Sequence, residues 1–328
     1  CKFITPVNSD ILFEVPFAVG RGDVGWNIGI KVDPGNHPYG QGSNYMSFPP
    51  TYAYSFDRQD TRLEATCGFY EINSDFVQQL VQTGSIRISQ AKWSRHYLDN
   101  PPGASASKGT GINWPMLRYA DVLLMYAEAV NELNGPTEEA KAAFKRVRQR
   151  AFDESVWNTK VDQYIASNSG SSEDFFNAIV NERAWEFGGE MIRKYELIRW
   201  NLYYEKVAKT VEGCKQMAND AFNGTGTLPD YLYTKLAENG DLQILNIFDK
   251  VAVAPDETWE RLSWLIAMYD ETRPDGYAEW ITRDWDNYIN GSNISVPQGI
   301  VRYIFPIPTI GIDNSQGVLK NDGYGFGF

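Results

Sequence analysis

The chain has 328 residues, room for one large domain or two ordinary ones, and at 43% hydrophobic composition it can bury a substantial core. Its formal charge of -12, with no basic tail or run to offset it, argues against nucleic acid as a partner. Three cysteines without C-x-x-C spacing exclude a zinc ribbon, two histidines are too few for a histidine-rich metal site, and no apolar run approaches the roughly 18 residues of a membrane-spanning helix.

Cys1 stands where a mature bacterial lipoprotein carries its lipidated cysteine. A polar tether normally follows such a residue, whereas here "CKFITPVNSDILFEVPF" passes quickly into an apolar segment, so the expectation is a chain that starts mid-domain. Residues 9–19 alternate like a half-buried strand, and Pro16 confines that strand to an edge. The Gly-, Pro- and Asn-rich residues 20–50 read as a long loop, of the kind that is usually functional. A short helix is expected over 74–83 with Ser74 or Asp75 as its cap, and a small polar loop over 100–111.

Three helical stretches follow. The first is expected from Trp114-Pro115, where proline suits a first helical turn, to the stop at Asn134-Gly135. A second runs from a Thr137 cap to about Phe152, with Ala140, Phe144, Val147 and Ala151 on one apolar face. The third starts near Ser172, buries Phe175, Phe176, Ile179 and Val180, and breaks into two helices at Gly188-Gly189. The first pair has about the length of a tetratricopeptide repeat, but the consensus is poorly met, so it reads as repeat-like packing. Helical pieces are expected at 205–222 and 256–270, and an irregular, apolar C-terminal segment from 301.

"GRGDVG" (20–25) matches a dinucleotide fingerprint in letters only, because Gly29 and Pro34 forbid the helix that must follow it. Asp121, Glu128 and Glu132 share a face of the first helix, but acids stacked on one helix are poorly placed to act across a cleft. Arg118, Arg146, Arg148, Arg150, Arg183, Arg193 and Arg199 stand on the same or neighbouring helices, so these acids are expected to be ion-paired scaffold. Sequons at Asn223, Asn290 and Asn293 matter only in a eukaryotic secretory protein.

The early loop carries Trp26, Tyr39 and Tyr45 beside Asp23, Asn27, Asn36 and Asn44. Aromatic faces stack on the C–H faces of sugars while Asn and Asp bind hydroxyls. One stacked ring contributes roughly 1 kcal/mol, so two or three platforms give about millimolar to micromolar binding. Two readings stand side by side: a sugar site, or rings that pin a long loop to the body. Trp280, Trp285 and Tyr288 form a second cluster with the same ambiguity.

Four segments together, "SDILFEVPF", "WPMLRYADVLLMYAEAVNEL", "ERAWEFGGEMIRKYELIRW" and "YIFPIPTIGIDNSQGVLKNDGYG", resemble in order and spacing the signatures of the SusD/RagB family. The resemblance spans nearly the whole chain, weakest over 205–290, and lacks the family's N-terminal part with its lipidated cysteine. It implies a mainly α fold: tetratricopeptide-like helix pairs, long ordered loops and a few short β-strands. Within 1–328 it implies a loop-rich ligand face over 1–113, a helical scaffold over 114–204, and mixed helices and loops over 205–328. It further implies a non-enzymatic glycan-binding lipoprotein at the extracellular face of the outer membrane, delivering ligand to a SusC-like TonB-dependent transporter, with no cofactor or metal. Membrane attachment would be through a lipid anchor absent from this chain. The family's aromatic platforms lie in the region that here holds Trp26, Tyr39 and Tyr45, with Asn27 and Asn44 as hydroxyl partners. Two other classes remain as alternatives: a glycoside hydrolase using loop carboxylates such as Asp23 and Asp33, and a protein-binding helical scaffold.

Overall fold

The computed structural model describes residues 10–18, 20–22, 24–32, 37–81, 84–98, 109–282 and 307–320. Asp23, Asp33, Asn36, Trp285, Tyr288, Asn290, Asn293 and most of the loop 100–111 lie outside the described residues.

The first strand, β1 (Ile11–Val15), falls inside the expected segment and ends before Pro16. Its partner lies about a hundred residues on: β1 pairs antiparallel with Trp114–Arg118, matching Ile11 with Arg118 and Val15 with Trp114. Two register shifts interrupt the ladder, so the alternation of β1 is lost and Leu12, Phe13 and Val15 are exposed. The strand Trp114–Arg118 corrects the expected helix start. Proline favours extended backbone in the residue before it and is tolerated in an edge strand. The helix begins only at Tyr119, and its cap comes from across the ribbon: Tyr119 N–H donates to Asp10 O (2.6 Å) and Ala120 N–H to Asp10 Oδ1 (3.2 Å).

Short elements occupy the loop-rich part: one-turn helices α1 (Val24–Asn27) and α2 (Pro50–Ala53), α3 (Arg62–Thr66), and strands β2 (Cys67–Gly68), β3 (Tyr70–Ile72), β4 (Gln78–Leu80) and β5 (Ser89–Gln90). The helix expected over 74–83 is instead a turn and β4, paired with β3. Asn73 closes the turn by accepting from the amides of Asp75 (2.9 Å) and Val77 (3.3 Å), which competes with helix formation. After the strand at 114–118, here β6, come α4 (Tyr119–Asn134), α5 (Glu138–Arg148), α6 (Gln163–Ser167), α7 (Ser172–Glu186), α8 (Arg193–Arg199) and α9 (Tyr203–Asn223).

The helix ends follow the sequence signals. Gly135, at φ +78, terminates α4, and Thr137 caps α5 through Ala140 N–H (3.3 Å). The break between α7 and α8 sits at Gly188-Gly189, where a Cβ on Gly188 would stand 1.9 Å from the Tyr52 hydroxyl. Ala140, Phe144, Val147 and Ala151 are buried with Leu124, Phe175 and Ile179 in one core between α4, α5 and α7. The remaining strands β7 (Tyr231–Leu236), β8 (Leu242–Ile244) and β9 (Glu260–Ser263) form a sheet in the order β8-β7-β9. The helix expected over 256–270 is therefore β9 and a short 3-10 turn, Leu265–Met268, because pairing with β7 outweighs a weak helical pattern. This sheet, the N-terminal half of the chain and α9 enclose a second core around Trp264, Phe69, Ile88 and Leu232. A last short helix, α10, covers Thr309–Asn314.

Candidate functional site

A small third core, Ile28, Trp93 and Ile112 with Trp114 stacked on Trp93 (5.0 Å, 7°), supports the early loop. Close backbone approach fixes it there: a Cβ on Gly29 would lie 2.6 Å from Trp93 O and 2.7 Å from Gly25 O. On this support α1 presents Trp26 and Asn27. The returning segment of the loop bonds to the same residues, with Ser43 N–H donating to Trp26 O (2.7 Å) and Tyr45 N–H to Asn27 O (2.7 Å). Trp26, half-buried, and Tyr45, 63% exposed, are thereby brought into edge-to-face contact at 5.3 Å and 71°.

Asn44 is positioned otherwise. It is buried at φ +45, and its amide donates to Ser89 Oγ (2.9 Å) and Arg87 O (3.3 Å). The Arg87 guanidinium in turn donates to Asn44 O. Asn44 therefore fixes the segment that carries Tyr45. Asn27 is half-buried, and its carboxamide makes no hydrogen bond among the described residues.

The backbone of Tyr39 is tied to that of α1 by buried Arg95, which donates to Gly25 O (3.3 Å) and Tyr39 O (3.1 Å). Around the Tyr39 ring stand groups that the loop composition did not single out. His96 meets it edge-on at 5.0 Å, His37 lies 5.6 Å from His96, and Phe76 at the β3–β4 turn packs edge-to-face on His37 at 5.1 Å and 89°. The "NSD" run before Phe76 was the available turn signal; its closeness to His37 depends on folding between distant segments. Burial lowers the His96 pKa to about 4, and the neighbouring His37 and Arg95 add to the shift while Asp241 opposes it. Burial also lowers the His37 pKa, so both rings are neutral at pH 7. Tyr39 N–H donates to His37 Nδ1 (3.2 Å), which leaves the ring proton of His37 on Nε2.

The carboxylates of α4 belong to a different part of the molecule. Asp121 accepts from Arg183 (2.6 Å), and Glu128 takes both arms of Arg199 (2.5 and 2.6 Å) together with Trp200 Nε1 (2.8 Å). Arg183 also pairs with buried Glu196. Asp121, Glu128, Arg183, Glu196 and Arg199 line an open groove of about 560 Å³ whose walls include Met125, Ile192 and Tyr195. Glu128 is held below its ordinary pKa: burial opposes ionisation, but the bonds from Arg199 and Trp200 outweigh it. An acid so held is a poor proton donor, and this arrangement is a tie between helices. A denser lattice lies beneath, where Arg118 bonds Glu186 and Glu190 and Arg62 and Arg148 bond Glu182. Among the described residues, no group of three or more His, Cys, Asp or Glu is placed to hold a metal ion.

The family model described as the SusD family matches residues 10–234. SusD-like protein P25 of Formosa agariphila is 40% identical over 112 residues, 34% of this chain and 19% of that protein. SusD-like protein P2 of the same organism is 25% identical over 179 residues, 53% of this chain and 34% of that protein. A crystal structure of a SusD homolog from Bacteroides thetaiotaomicron superposes with a TM-score of 0.55 at 26% identity, covering 62% of this chain and 43% of the other. The chain thus spans about a third or less of the length of these two curated relatives.

Proposed function

The chain belongs to the SusD family, and on that premise we propose that it captures glycans on the face formed by Trp26, Tyr39 and Tyr45 and performs no chemistry on them. The observation that carries this reading is the Trp26–Tyr45 pair: a 63% exposed tyrosine held against a tryptophan by backbone bonds on both sides. An exposed ring fixed in this way gains little for folding, and its open face suits the C–H face of a sugar. Asn27 offers a carboxamide to sugar hydroxyls beside it, while Asn44 serves the site by holding the Tyr45 segment.

Captured ligand passes, in this proposal, to a SusC-like TonB-dependent transporter at the extracellular face of the outer membrane, with α4, α5, α7 and α8 as the scaffold that faces it. Attachment to the membrane is by a lipid anchor, and no described helix is long and apolar enough to cross a membrane. The test is retention of the protein in native gels cast with a panel of polysaccharides (laminarin, starch, xylan, galactomannan, alginate), with sugar analysis of the same incubations. Retardation by at least one polysaccharide without release of cleaved product is expected. Product release by the pure protein would replace this reading with that of a glycoside hydrolase.

A further inference from the structure

Phe76 combines two features that each work against folding. Its ring is 44% exposed, and its backbone lies at φ +64, a region that bulky residues rarely occupy. The turn is nevertheless well fixed: Asn73 bonds the amides of Asp75 and Val77, Asn73 N–H donates to Val77 O (3.0 Å), and Gln78 N–H donates to Gly240 O (3.0 Å). Glycine or asparagine would fit this backbone better. Strain of this kind, kept by a rigid surround, is characteristic of ligand clamps. The position of the ring supports the same conclusion, because Phe76 closes a continuous series of ring contacts, Tyr39–His96–His37–Phe76, that starts on the proposed glycan face.

We propose that Phe76 is a further stacking platform of that face, so that the site takes a chain of several sugar units and not a mono- or disaccharide. The inference rests on the glycan-binding reading of Trp26, Tyr39 and Tyr45. A phenyl ring carries no hydroxyl, so it stacks on a sugar without selecting a hydroxyl pattern. It adds affinity only for a ligand long enough to reach it.

The test compares wild type, Phe76→Gly and Phe76→Trp by calorimetric titration. The probes are the hexasaccharide and disaccharide of a polysaccharide that the wild type retains in the panel above. Phe76→Gly relieves the backbone, so its Tm should equal or exceed that of wild type. Its affinity for the hexasaccharide should fall about fivefold, the loss of one stacked ring, with disaccharide binding unchanged. Phe76→Trp should keep hexasaccharide affinity. Wild-type hexasaccharide affinity in Phe76→Gly would overturn the inference and leave the glycan reading intact. A lowered Tm with equal losses for both sugars would instead make Phe76 a structural residue. Failure of the wild type to bind any polysaccharide of the panel would overturn both.

Discussion

The ionic residues show how burial decides chemistry. Arg118 is 2% exposed and bonds Glu186, Glu190 and Asp10, so its removal strands several carboxylates away from water. Arg118→Ala should lower unfolding stability by about 3–5 kcal/mol, read from urea denaturation midpoints. Glu186 and His96 are two groups that shape the pH profile. Burial raises the Glu186 pKa, but Arg118, Arg62, Arg150 and Lys92 outweigh it and bring the group down to about 2. Its contribution is therefore present above the ordinary 4.5 and lost as pH falls toward 2. His96 titrates at about 4 when folded and at 6.5 when unfolded, so its contribution is complete above 6.5 and declines between 6.5 and 4. Urea midpoints measured from pH 8 to pH 3 should fall in two overlapping stages. His96→Gln should shrink the upper stage, to which His37 also contributes, and leave the lower one; a profile unchanged by the substitution would contradict this account of His96. The pairing of acids with arginines was legible from i, i+3 and i, i+4 spacing and helix order, but the partners were not. Asp121 meets Arg183 and Glu128 meets Arg199 only through packing of α4 against α7 and α8.

At the scale of elements, local signals read correctly where the chain supplies its own partners. Gly135, the Thr137 cap and the Gly188-Gly189 break all mark observed helix ends. Reading failed where a distant strand decided the structure. Trp114–Arg118 is strand because β1 lies beside it, and Glu260–Ser263 because β7 does. The helical pattern of the second stretch makes a quantitative prediction: Phe144, fully buried between α4, α5 and α7, should cost about 3–5 kcal/mol when changed to Ala. Gly29→Ala should act differently. Its Cβ cannot fit against Trp93 O and Gly25 O, so the loop must shift and carry Trp26 with it. Polysaccharide retention should drop while the helical circular-dichroism signal stays at the wild-type level; full retention would show that the loop is not held as described.

Across the whole molecule, the helical scaffold and the aromatic face have separate cores, one around Phe144 and Phe175 and another around Trp93 and Ile28. Helix α4 packs in the first of these cores, whereas Trp114, which precedes it in the same family signature, stacks on Trp93 in the second. The mainly helical fold was legible because the scaffold helices are long and periodic. Of the proposed site only a region was legible: loop composition singled out Trp26, Tyr39 and Tyr45, whereas the ring contacts that link His96, His37 and Phe76 to Tyr39 run between segments distant in sequence. Loop composition also pointed to Asn44, which is buried and donates its amide N–H groups to Ser89 Oγ and Arg87 O.

Tyr45→Ala tests the central claim most directly, because a 63% exposed ring can be removed with little effect on folding. The measurement is the dissociation constant for a polysaccharide retained by the wild type, taken from gel retardation, with Tm recorded on the same samples. Capture on the Trp26–Tyr45 face predicts a dissociation constant at least about fivefold weaker at unchanged Tm. An unchanged dissociation constant at unchanged Tm would contradict it and place glycan binding elsewhere on the molecule.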